Sequence, residues 1–110
     1  MVDLSFPKKC RLLKDNDYKA VYEGGRKVKA WPILAYVRPN GLEYSRLGMA
    51  VSKKVGHSPR RNRVKRIFRE SFRLSRHELP AGYDLILIPL DRARDYTLDE
   101  VQRALKRLFA

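Results

Sequence analysis

The chain is poor in cysteine, histidine, acids and long apolar runs, and each shortage closes off a class of protein. Of 110 residues one is cysteine, two are histidine and twelve are acidic. A lone thiol, Cys10, closes no intramolecular disulfide, which excludes a disulfide-stapled secreted scaffold and makes a reducing cytoplasm the expected compartment. Cys10 itself reads as a packing or surface residue rather than a nucleophile. His57 and His77 stand at no metal-ligand spacing from Cys10 or from a carboxylate pair. Asp91, Asp95, Asp99 and Glu100 cluster, but Asp99 and Glu100 suit the first turn of a helix, where acids favour the dipole, so no metal site is expected. Phosphate-loop and dinucleotide glycine patterns are absent. No linker, repeat or low-complexity stretch divides the sequence, and residues 1–110 read as a single domain. The longest apolar run, residues 85–90, is far too short to span a membrane, and residues 1–13 carry Asp3, Lys8, Lys9 and Arg11 with no apolar stretch of signal-peptide length.

What the chain has in excess is positive charge. Twenty-five Lys and Arg against twelve acids give a formal charge of +13, with 44% hydrophobic residues still available for a core. A chain of this length can bury roughly two-thirds of its unfolded surface, so it needs no metal or disulfide to fold. Self-repulsion at this charge is relieved by a polyanion, nucleic acid first and an anionic membrane surface second. The excess is also localised. Residues 52–76 hold ten basic side chains and one acid, Glu70, a balance of +9, whereas the other 85 residues share a balance of only +4.

The pattern predicts alternating helices and strands. Asp15, Asn16 and Asp17 are capping residues ahead of Tyr18, Val21 and Tyr22, which share one helical face, and Gly24-Gly25 stops the segment. Residues 28–37 are rich in β-branched and aromatic side chains, and an additional strand forms if Ala30-Trp31-Pro32 breaks the run. Leu47, Met49 and Val51 alternate with Gly48, Ala50 and Ser52 as a further strand. Ser58 as cap and Pro59 at the first helical position start a helix running to about His77. Residues 83–89 read as a buried strand. Thr97 with Glu100 makes a capping box, and Leu98, Val101, Leu105 and Leu108 give a closing amphipathic helix. The expected architecture is an α+β sandwich in the order α-β-β-β-α-β-α.

On the central helix, Val64, Ile67, Phe68, Ser71 and Leu74 fall in one arc, the expected buried face. Asn62, Arg66, Arg69, Arg73 and Arg76 fall within about 80° on the opposite side. Like charges at these spacings each cost a few tenths of a kcal/mol in isolation, and a solvated face normally mixes its signs, so a docking face is the better account. Arginine's planar fork matches phosphate oxygens two at a time. RNA fits best. A major-groove helix would follow a short helix, whereas residues 47–54 read as a strand, and a membrane would need the apolar face that the core already uses. Tyr18 and Tyr22 suit either core packing or stacking on unpaired bases.

Several segments resemble one family. Val51-Ser52-Lys53-Lys54-Val55-Gly56, then Arg61-Asn62-Arg63-Val64-Lys65-Arg66, then Arg69-Glu70 and Phe72-Arg73 are similar to the strand and RNR helix of the bacterial ribonuclease P protein component. Residues 17–24, Ser45-Arg46-Leu47-Gly48 and Leu79-Pro80-Ala81-Gly82-Tyr83-Asp84 extend the likeness over nearly the whole chain. His57-Ser58-Pro59-Arg60 departs from the family pattern at the entry to the helix. The resemblance implies a fold like ribosomal protein S5 domain 2, with a left-handed βαβ crossover. It implies a subunit that binds a catalytic RNA and the 5′ leader of precursor tRNA, with catalysis by magnesium held mainly by the RNA and none by the protein alone. Arg60, Arg61, Asn62, Arg63, Lys65, Arg66, Arg69 and Arg73 would then bind the RNA subunit. Tyr18, Tyr22, Tyr36, Lys53 and Lys54 would line the leader cleft. No membrane and no obligatory protein partner are expected. The rival functions are a structural or ribosomal-type RNA binder without a role in tRNA processing, and a nuclease acting alone.

Overall fold

The computed structural model of the chain describes residues 6–91 and 95–109. Strands β1 (Arg26–Ala30), β2 (Ile33–Pro39), β3 (Arg46–Met49) and β4 (Tyr83–Pro89) form one sheet in the order β1-β2-β4-β3. The first three strands in that order pair antiparallel, while β3 and β4 are parallel neighbours joined through α2 (Ser58–Ser75). Helices α1 (Asp15–Gly24) and α3 (Leu98–Arg107) complete the expected order of elements.

Strand alternation splits the sheet into two unequal faces. Ile33, Ala35, Val37, Leu47, Leu85 and Leu87 meet Val64, Phe68 and Phe72 of α2 and Val101, Ala104 and Leu105 of α3 in the main core. On the opposite face lies α1, where Val21 and Ile86 pack with Leu12 of the preceding segment, and Tyr18, Tyr36, Ala50 and Ile88 are partly buried around them. Val21 is the one buried residue of α1, an anchor of about 1.5–3 kcal/mol. The helix therefore lies on this face without sealing it. Gly48 sets how close it comes: a Cβ there would sit 2.8 Å from the Tyr18 ring, so only glycine lets Tyr18 lie across β3 and accept a hydrogen bond from the Met49 N–H at 3.2 Å.

Local details differ from the sequence reading. The first run divides at Trp31-Pro32 into β1 and β2, which is the additional strand. Strand β3 ends at Met49, where its ladder with β4 reaches Leu87, and the chain then turns through a 3-10 segment at Lys53–Val55 instead of staying extended to Ser52. Residue 57, not Ser58, caps α2; Ser58 and Pro59 lie in the first turn, and Ser58 Oγ accepts from Arg61 rather than from a backbone amide. The α-helix stops at Ser75, with a 3-10 turn over Arg76–Glu78. Ile67 and Leu74 are only half-buried, whereas Phe72, beyond the edge of the expected arc, and Ser75, within it, are buried. Phe72 joins the main core, and Phe6 from the N-terminal segment packs edge-on against it, with ring centroids 5.8 Å apart, so the buried face of α2 is wider than the arc read from spacing. The Thr97–Glu100 capping box forms as expected.

Candidate RNA-binding surfaces

The outer face of α2 follows from its inner one. With Val64, Phe68, Ser71, Phe72 and Ser75 fixed in the core, Asn62, Arg63 and Arg66 are exposed, and Arg60, Arg61, Lys65, Arg69 and Arg73 are half-buried along the flanks. These side chains are not equivalent. Arg73 Nη2 lies 2.8 Å from Glu70 Oε2. That hydrogen bond, aided by the charges of Arg73 and Arg69, holds the Glu70 carboxyl below the usual range against its desolvation. Arg76 turns to donate to the Cys10 thiol sulfur at 3.0 Å, so the expected stripe of four like arginines is broken at its C-terminal half. Among the described residues no acid forms an ion pair with Arg66 or Arg69. Arg61 Nη2 donates to Ser58 Oγ at 3.0 Å while its Nε is buried with no acceptor. An unmet buried donor costs about 1–3 kcal/mol, which an incoming phosphate oxygen would recover.

The second surface lies on the half-covered sheet face. Tyr22 from α1 meets Tyr36 from β2 edge to face, with ring centroids 4.9 Å apart, and Tyr22 remains 40% exposed. Burial, then the neighbouring Tyr18 and Tyr36, push its phenol above the ordinary tyrosine value, so it stays neutral. Tyr18 is half-buried, its hydroxyl engaged by β3. The two readings left open by the sequence thus divide between the residues, with Tyr18 mainly packed and Tyr22 presented. Beyond them runs a groove of about 630 Å³ lined by Ala50, Val51, Ser52, Val55, Ile88, Pro89 and Leu90. Lys53 is exposed on the turn that walls this groove, and the Lys54 side chain lies outside the described residues. Tyr18 and Arg69 line a smaller cavity of about 230 Å³, so the cationic helix and the aromatic cleft adjoin.

Two further cations share this face. Lys27 is the cross-strand partner of Tyr36, and Lys29 of Leu34, and directly opposed residues project to the same side. The alternation Arg-Lys-Val-Lys-Ala in residues 26–30 carries this signal, of which a strand expected from residue 28 takes in only Lys29. Among the described residues no three His, Cys, Asp or Glu side chains converge as a metal site, and no helix is long and apolar enough to cross a membrane.

Fold and surfaces together define an α+β protein with a cationic helix face beside a half-covered sheet face that presents tyrosines. Comparison with known proteins gives that class its family. The Ribonuclease P family model matches residues 6–110. The ribonuclease P protein component of Alkaliphilus metalliredigens is 38% identical over 99 residues, covering 90% of this chain and 89% of that one. That of Photobacterium profundum is 38% identical over 110 residues, covering 99% and 92%. The solved RNase P protein from Thermotoga maritima superposes with a TM-score of 0.78 at 31% identity, covering 90% of this chain and 94% of that one. The Staphylococcus aureus RNase P protein gives 0.76 at 31% identity, covering 89% and 90%. The chain belongs to the ribonuclease P protein family and is a protein component that works with the ribonuclease P RNA in tRNA processing.

Proposed function

We propose that the chain holds the two RNAs of the reaction on separate faces: the catalytic RNA on Arg60 to Arg73 of α2, and the single-stranded 5′ leader of precursor tRNA in the cleft of Tyr18, Tyr22, Tyr36, Lys53 and Lys54. The observation that carries this reading is the presentation of Tyr22 against Tyr36 on a sheet face that α1 leaves open. Unpaired bases stack on such rings while cations follow the backbone. Magnesium held mainly by the RNA subunit supplies the Lewis acid and the activated water for phosphodiester cleavage. The chain's own part is to position the leader, to reduce repulsion between the RNAs and to stabilise the assembled site electrostatically. It acts in the cytoplasm, without an obligatory protein partner.

The test uses the complex reconstituted with its cognate RNA. Tyr22→Ala is expected to weaken precursor binding by about tenfold, in line with a stacking contribution of about 1–3 kcal/mol per base, and to leave mature tRNA binding unchanged. Equal losses for both RNAs, or a precursor affinity that does not fall as the leader is shortened to nothing, would overturn the leader assignment and favour a purely structural RNA binder.

A further inference from the structure

The hairpin joining β1 to β2 carries the chain's one tryptophan, and Trp31 is 55% exposed there. Its backbone is firmly held. Arg107 of α3 donates to the Trp31 carbonyl. The buried Pro32 accepts at its carbonyl from the Leu90 N–H at 3.1 Å and from the Tyr96 hydroxyl at 3.2 Å. A fixed scaffold thus offers a large aromatic surface to solvent. Lysines on an edge strand blunt it against pairing with other chains, which accounts for Lys27 and Lys29 on β1. An exposed tryptophan at the end of that edge does the reverse, since it adds adhesive apolar surface. A ligand that is both anionic and aromatic accounts for both.

The position of the tip matches such a ligand. Leu90, bonded to Pro32, is also a wall of the groove beside the tyrosine pair, as is Ile88. In the ladder Ile88 lies opposite Leu34, and one alternation further along Ile86 lies opposite Tyr36, so an apolar floor runs from the tyrosines to the hairpin. The distance from Tyr36 to Ile33 is three residues, about 10 Å of strand. Lys27 and Lys29 flank that floor on the same face, and no acid occurs between Arg26 and Arg38.

We infer that Trp31 is a second stacking point for the single-stranded leader, separated from the Tyr22–Tyr36 pair by the Leu34–Ile88 floor that borders the groove, with Lys27 and Lys29 tracking the intervening phosphates. This rests on the leader assignment above and extends it: the strand is gripped at two places, by rings that accept any base face. Because the tryptophan is unique, its emission reports on that point alone. In the holoenzyme, precursor tRNA with a long leader is expected to quench Trp31 emission, while the RNA subunit alone and mature tRNA leave it unchanged. Trp31→Ala should weaken long-leader precursor binding about five- to tenfold, Trp31→Phe should retain most of the affinity, and neither should alter mature tRNA binding. An emission change on adding the RNA subunit alone, an equal change with mature tRNA, or unaltered precursor affinity in Trp31→Ala would overturn the inference. If Tyr22→Ala abolishes leader preference and Trp31→Ala does not, the second point alone fails; if neither does, the leader assignment fails with it.

Discussion

Asp84 is the most consequential single charge in the fold. It is 1% exposed, yet both oxygens are met: Arg46 Nε donates to Oδ1 at 2.8 Å, Arg46 Nη2 to Oδ2 at 2.7 Å, and Asn40 Nδ2 to Oδ1 at 2.8 Å. Arg46 stands opposite Asp84 in the parallel β3–β4 register and lies 3.8 Å from Asp17 of α1. Its pKa is raised first by the Asp84 hydrogen bond, against desolvation, and then by the charges of Asp84 and Asp17. One guanidinium thereby ties the sheet to the helix that presents Tyr22. Breaking a buried pair costs about 3–5 kcal/mol, and with Arg46 partly reached by water the lower end applies. Asp84→Ala is expected to destabilise by about 3 kcal/mol, seen as a lower urea midpoint at unchanged slope, and Asp84→Asn by less; an unchanged midpoint would mean the pair contributes nothing net. In the sequence, Asp84 is only a polar interruption near the start of an apolar run. Its partner 38 residues away is set by strand register, which no local pattern encodes.

At the scale of the element, α2 shows what periodicity can and cannot fix. Its polar side and the burial of Val64, Phe68 and Ser71 follow from 3.6-residue spacing. The burial of Phe72 does not, because it is set by the tertiary core that Phe72 joins, where Phe6 from the N-terminal segment also packs against it. Nor does spacing reveal that Arg73 is already matched by Glu70. This difference in pairing predicts a difference in binding. Arg66→Ala with Arg69→Ala should reduce the salt dependence of RNA-subunit affinity by roughly one to two units of log–log slope, whereas Arg73→Ala should change it by less. Glu70→Gln, which releases Arg73, should tighten binding at low salt. Because the Glu70 carboxyl titrates below its usual range, the pair holds at neutral pH. Its contribution, present above the unfolded-state value, is lost only as pH falls through the lowered folded-state one. A water-exposed pair at i, i+3 adds little to stability, so acid should move RNA affinity here more than stability. A slope left unaltered in both arginine variants would show that the face meets solvent.

For the whole molecule, the +13 charge and its concentration in residues 52–76 could be read directly from composition. The open half of the sheet could not, since it follows from how α1 docks, with Val21 as its one buried residue. These two features predict separable effects on the assembled ribonucleoprotein. Charge neutralisation by the chain and by divalent cations is interchangeable in kind, so adding the chain should lower the magnesium concentration needed for precursor cleavage, and added monovalent salt should erode that gain. Stacking has no divalent substitute. At saturating magnesium most of the chain's effect on the catalytic RNA itself should therefore vanish, while its preference for leader-bearing over mature tRNA should persist and should fall away in Tyr22→Ala. The measurement is a magnesium titration of cleavage rate and of both affinities, with and without the chain. Loss of leader preference at high magnesium would reduce the cleft to one more source of positive charge, and robust cleavage by the chain without RNA would move the chemistry into the protein.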